Sequence, residues 1–154
     1  MGEKRDMLEY KIATAGDIDL LMESRLEMLK EVNDLAEDHC YDEAFVAESR
    51  RYFLEGNHKT VLVVDGKRVV ACATLCYLHL MPTFDHPTGK RAHIMNVYTA
   101  KDHRRQGIGK RMMEMLIREA KEDGATEISL DATKAGRPLY RKCGFVDSQE
   151  CMVL

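Results

Sequence analysis

Ile18, Leu21, Met22, Leu26 and Leu29 recur three or four residues apart, the spacing of one helix face, up to about Val32. Thr14-Ala15-Gly16-Asp17 precedes them with capping side chains and ends a short strand predicted over Leu8–Ala13. The polar stretch Asn33–Asp42 reads as a loop. A second helix follows over about Asp42–Leu54, with Phe45, Val46, Tyr52 and Phe53 as its apolar positions. Thr60–Val64 is then a β-branched run, and Asp65-Gly66 is a two-residue hairpin turn. The return strand runs from Lys67 to about Leu80 and is apolar enough for burial on both faces. Met81–Gly89 holds two of the three prolines and reads as a loop. Arg91–Thr99 is a further strand.

The strongest helical pattern spans Arg105–Asp123. Ile108, Met112, Leu116 and Ala120 fall four apart, and Met113 and Ile117 widen the face. Thr126–Ala132 predicts a strand, Gly136–Lys142 a short helix with Pro138 in its first turn, and Glu150–Leu154 a last strand. The order β-α-α-β-β-β-α-β-α-β predicts a mixed α/β fold around one sheet.

A length of 154 residues suits one domain, 1–154. No apolar run approaches the roughly 18–20 residues of a membrane span, so no membrane partner is expected. Met1–Asp6 is charged and has no apolar segment behind it, so secretion is not expected. Five cysteines, an odd number without close-set pairs, predict free thiols in a reducing cytoplasm. Cys72 and Cys76 lack a second ligand pair nearby, and the six histidines show no ligand spacing, so no metal is expected.

Charge is unevenly placed. Gly16–Gly56 holds twelve Asp/Glu against four Lys/Arg, a net −8 that leaves +5 for the rest of a chain of formal charge −3. Lys101, Arg104, Arg105, Lys110 and Arg111 form a short basic knot with only Asp102 among them. Such a chain suits an anion at the knot. In Asn96–Arg111 a strand ends, a basic turn follows, and Gly107 and Gly109 open a long helix. Free backbone N–H groups and a partial positive charge mark a helix start, and glycine lets a phosphate approach the backbone. A dinucleotide turn needs Gly-x-Gly-x-x-Gly, but the third position here is Met112.

Arg104-Arg105-Gln106-Gly107-Ile108-Gly109 resembles the acyl-CoA signature of the GNAT superfamily of N-acetyltransferases, Arg/Gln-x-x-Gly-x-Gly/Ala. Val97-Tyr98-Thr99 looks like that superfamily's central strand. Leu139-Tyr140-Arg141-Lys142-Cys143-Gly144-Phe145 looks like its C-terminal Leu-Tyr-x-x-x-Gly-Phe segment. The resemblance covers nearly the whole chain. It implies a single-domain fold with a mixed, mostly antiparallel sheet flanked by about four helices.

It also implies roles. The pantetheine arm of acetyl-CoA would pair with the backbone of Val97–Thr99, including Tyr98. The pyrophosphate would rest on the amides from Arg105 through Gln106, Gly107, Ile108 and Gly109 to Lys110, with Arg104, Arg105, Lys110 and Arg111 adding charge. Tyr140 would be the general acid that protonates the leaving thiolate, and the backbone N–H near Val97 would polarise the thioester carbonyl. Many relatives carry Asn where this chain has Thr133, so a cofactor contact there rests on a hydroxyl.

The base that takes a proton from the attacking amine is left open among His93, Asp131 and His79. Met81 and Met95 are candidates for lining a substrate tunnel. The acidic first two helices, with Glu31, Asp34, Glu37 and Asp38, suit a cationic acceptor. The expected activity is transfer of acetyl from acetyl-CoA to a primary amine on a small molecule or peptide, by direct attack in a ternary complex. The alternative is a non-catalytic acyl-CoA sensor. Nucleic acid ranks last as a partner, because the basic knot is small and no aromatic residues interleave it. Dimers are common in the superfamily, so a homodimer stays open.

Overall fold

The computed structural model describes residues 7–154. Its elements are β1 (Glu9–Ile12), α1 (Ile18–Val32), α2 (Glu43–Glu55), β2 (His58–Asp65), β3 (Arg68–His79), β4 (Lys90–Thr99), α3 (Ile108–Glu122), β5 (Glu127–Leu130) and α4 (Arg137–Lys142). The strands form one sheet in the order β1-β2-β3-β4-β5. The first three pairings are antiparallel, and β4 runs parallel to β5, with α3 as the crossover between them.

Alternation along the strands sends side chains to two layers. Val61, Val63, Ala71, Ala73, Leu75 and Ile94 pack against Ile108, Met112, Met113, Leu116 and Ala120 of α3. Leu62, Val64 and Cys72 face the other way, against Leu21 and Met22 of α1 and Phe53 of α2. The central strands are therefore buried on both faces, as the unbroken apolar run of β3 predicts.

Two expectations are corrected. The helix read from Arg105 begins at Ile108, because Arg105 (φ 59°) and Gly107 (φ 79°) take left-handed conformations that no helix interior accepts. No strand forms over Glu150–Leu154. Met152, Val153 and Leu154 are almost fully exposed, and a strand with no neighbour to pair with leaves its backbone to water.

Candidate active site

β4 ends at Thr99, a 3₁₀ turn covers Lys101–His103, and the chain then enters α3 through Arg104–Gly107. Arg105 and Gly107, two residues apart, both take left-handed conformations in this turn. The six consecutive amides of Arg105 through Lys110 donate to no protein acceptor among the described residues; the first bond of the helix is Arg111 N–H to Gly107 O, 3.1 Å. No acidic residue sits in the first turn of α3. A helix start with open donors and a positive dipole end is an anion cradle. At Gly107 a side chain would meet nothing within 4 Å, so the ground before the cradle is open and glycine is there for its positive φ. Gly109 is there for space: a Cβ would lie 3.0 Å from Leu139 Cδ2, so glycine lets α4 close onto the start of α3.

The cations divide. Arg105 is exposed and in no ion pair among the described residues. Lys110 lies 3.7 Å from Glu114. Arg111 is stacked over the Tyr10 ring at 3.9 Å, away from the cradle. Arg104 is held on its other side: Nε donates to Thr99 O at 2.8 Å and Nη2 to Glu31 Oε1 at 2.5 Å.

β4 pairs with β5 only from Arg91 to Ile94. Val97, Tyr98 and Thr99 have β3 on one side and, among the described residues, no strand on the other. The strand changes character at a bulge around Asn96, whose φ of 60° suits an asparagine better than a branched residue. Asn96 is pinned there by three contacts. Its Oδ1 accepts from Arg25 Nη1 (3.1 Å), its Nδ2 donates to Thr74 Oγ1 (3.2 Å), and its backbone O accepts from Cys72 Sγ (3.5 Å). Thr74 bonds onward to Thr60 (2.9 Å), and His58 links Thr60 (3.1 Å) to Phe53 O (2.8 Å).

Tyr140 lies on α4, half-buried, with its ring set edge-on to Phe145. Its hydroxyl has no hydrogen-bond partner among the described residues and keeps contact with solvent. Burial pushes its pKa up, so the neutral, proton-bearing phenol is its resting form. Thr133 Oγ1 accepts from Gly136 N–H (3.1 Å) in the turn that opens α4, which leaves its hydroxyl hydrogen free to donate.

Of the three base candidates, β3–β4 register puts His93 beside Cys76 on the face covered elsewhere by α1 and α2. His93 Nδ1 lies 2.8 Å from Ser129 Oγ on β5, and Nε2 lies 3.6 Å from Asp131 Oδ2. Ser129 directs its own hydrogen to Ala92 O (3.5 Å). Either tautomer fits these contacts: a proton on Nδ1 donates to Ser129, and a proton on Nε2 faces the Asp131 carboxylate. His79 ends β3 on the exposed surface, apart from these groups. Met95 is half-exposed on β4, whereas Met81 stands in the β3–β4 loop almost fully in solvent. All five cysteines are free, and no metal-binding cluster occurs among the described residues.

Sequence reasoning missed Arg25 and Asn96 as members of this region. An arginine on the inner side of a helix in an otherwise acidic segment, and an asparagine inside a strand run, were the available signals.

A five-stranded sheet whose fourth strand parts from the fifth beside an open anion cradle defines an acyl-CoA transferase fold. The chain belongs to the acetyltransferase (GNAT) family, whose model matches residues 25–145, and it is an acetyltransferase. It is similar to the probable glucosamine 6-phosphate N-acetyltransferase 2 of Oryza sativa subsp. japonica, 39% identical over 59 residues. That match covers 38% of this chain and about a third (36%) of the rice protein. Similarity to glucosamine 6-phosphate N-acetyltransferase 1 of the same plant is 26% over 113 residues, 73% of this chain and 68% of that one. A solved structure, a "predicted acetyltransferase with acetyl-CoA" from Clostridium acetobutylicum, is 29% identical with a TM-score of 0.83, covering 96% of both chains.

Proposed function

We propose that this protein transfers the acetyl group of acetyl-CoA to the primary amine of a small molecule, in a ternary complex. The observation that carries the reading is the run of six unpaired amides, Arg105–Lys110, placed directly after a strand end that has no neighbour. A pyrophosphate suits the amides and the adjoining Arg105. The open edge of Val97–Thr99 suits the amide groups of a pantetheine arm, which hydrogen-bond as an extra strand does. The acetyl-CoA-bearing relative from Clostridium acetobutylicum and the two sugar-phosphate acetyltransferases support the donor and the class of acceptor.

Acetyl-CoA supplies the activated thioester. The chain's groups then divide the proton work. His93 Nε2 takes the proton that the attacking amine must lose, an amine of ordinary pKa about 8–10. Tyr140 gives its phenolic proton to the sulfur as the C–S bond breaks and the C–N bond forms. The unpaired thiols are in keeping with the reducing cytoplasm expected from the sequence.

Thermal unfolding with and without acetyl-CoA tests the donor. Ligand at about 100 times its Kd adds roughly 2.7 kcal/mol, a shift of several degrees in a domain of this size. Gly107→Glu, which sets a carboxylate before the cradle, abolishes the shift. An unshifted wild type would sink the reading. Thiol release with glucosamine 6-phosphate and other amines then tests transfer.

A further inference from the structure

Arg25 is a half-buried cation without a counter-ion. Its helix and the segment after it are rich in carboxylates, yet none stands within salt-bridge distance of its guanidinium among the described residues. Its single protein acceptor among the described residues is a neutral one, the amide oxygen of Asn96 at 3.1 Å. A guanidinium carries five N–H donors in a planar fork. The donors that Arg25 does not spend on Asn96 keep contact with solvent. The groups around it are the phenol of Tyr41 and the thiols of Cys72 and Cys76, both pushed up by burial, and burial pulls the guanidinium below its ordinary value. A purely structural arginine in this setting would be expected to hold a carboxylate, because burying an uncompensated charge is costly.

The location adds the second observation. Arg25 reaches the sheet at the bulge, next to the unpaired end of β4. The same face is uncovered from there along β4: Met95 and Leu78 are nearly half-exposed, and His93 follows three residues before Asn96. Three residues of strand span roughly 10 Å. This open stretch of the sheet face thus has the His93 imidazole toward one end and a cation without a counter-ion at the other, roughly 10 Å apart along the strand.

The geometry points to Arg25 as the residue that recognises an anionic oxyacid group, carboxylate or phosphate, on the amine acceptor. This rests on the acetyltransferase reading above and names its substrate class: a compact amine that carries its own negative charge within about 10 Å of the nitrogen. The planar fork suits either anion through paired N–H···O bonds.

The test uses matched amines with the full chain. Glucosamine 6-phosphate is compared with glucosamine, and L-amino acids with their amides. Binding is read by thermal shift in the presence of CoA, and turnover by thiol release from acetyl-CoA. In the wild type the anionic member of at least one pair is preferred by roughly 10- to 100-fold in kcat/KM or affinity, the worth of one charge-assisted interaction. Arg25→Gln removes that preference, Arg25→Lys restores part of it, and both keep the acetyl-CoA-induced shift. The pair that responds tells phosphate from carboxylate. Equal handling of charged and neutral partners by the wild type in both readouts overturns the inference, with or without a folded variant. So does a preference that survives in Arg25→Gln. Loss of the acetyl-CoA shift in the wild type strikes the donor reading instead, since the paired binding comparison does not depend on turnover.

Discussion

Glu31 Oε1 stands 2.5 Å from Arg104 Nη2, while Glu31 Oε2 accepts from the Tyr98 hydroxyl at 2.6 Å. One carboxylate on α1 thereby ties the end of β4 to the first residue of the turn that opens α3. Burial works to raise the Glu31 pKa, but the hydrogen bonds from Tyr98 and Arg104 win and hold it below the ordinary range. Replacing it with glutamine keeps the shape and removes the charge. Glu31→Gln is expected to raise the KM for acetyl-CoA by roughly 5-fold, the scale of one partly exposed ion pair, with kcat at saturation nearly unchanged. Initial rates over a range of acetyl-CoA concentrations check this.

Tyr140→Phe removes a proton donor and almost no volume. A general acid contributes about 10²- to 10⁴-fold, so kcat should fall within that range while the acetyl-CoA-induced thermal shift persists. The Tyr140 pKa is raised, so the donor stays protonated below its folded value. The wild-type rate should therefore show no alkaline loss attributable to this group until the pH exceeds the ordinary tyrosine value of about 10. A phenylalanine variant with full kcat would remove Tyr140 from the chemistry.

Thr74 is the buried hub beneath the bulge, bonded to Asn96 and to Thr60. Thr74→Val preserves shape and strands both partners. The expected loss is about 1–3 kcal/mol of stability, the cost of leaving buried polar groups unpaired. Chemical denaturation of the two proteins measures it, and a neutral result would mean that the relay does not hold the bulge.

His103 lies between two carboxylates, with Nδ1 3.0 Å from Asp102 Oδ1 and Nε2 3.0 Å from Asp65 Oδ2. The Asp102 carboxylate beside Nδ1, aided by Asp65 at Nε2, lifts its pKa above the ordinary value against the opposing effect of burial. A group whose folded pKa is raised contributes stability that is complete below its unfolded value, about 6.5, and that fades as pH rises through the folded one. The Tm gap between the wild type and His103→Asn should accordingly be widest near pH 6 and narrow by pH 9. A gap that grows with pH would reverse the sign and exclude this account.

Much of the molecule was legible in the chain. The four-residue spacing of Ile108, Met112, Leu116 and Ala120 located α3, and those side chains are buried. Asp65-Gly66 marked the β2–β3 hairpin, with Gly66 at φ 62°. The Arg-x-x-Gly-x-Gly run marked the turn with open amides, Gly107 being glycine for its positive φ and Gly109 for the close approach of Leu139. What escaped were long-range relations. Nothing local says that Arg25 will find Asn96, seventy-one positions away, rather than one of the acids beside it. Asn96 itself reads as part of a continuous strand, since an asparagine tolerates both extended and left-handed backbone. The absent strand at 150–154 is the converse case: an apolar run of strand-forming residues needs a partner, and composition does not supply one.

The parting of β4 from β5 after Ile94 has a consequence for how the free and loaded protein should exchange hydrogen with water. A sheet left one edge short in its middle has outward-facing backbone amides at Val97 and Thr99 whose protection depends on whatever lies beside them. In the free protein these amides and those of Arg105–Lys110 should exchange fast, as a patch of quick exchange set inside an otherwise slow core. With acetyl-CoA bound both stretches should slow together. The donor would then behave as a removable sixth strand, and the chain's most incomplete region would become one of its better protected ones each time it is loaded.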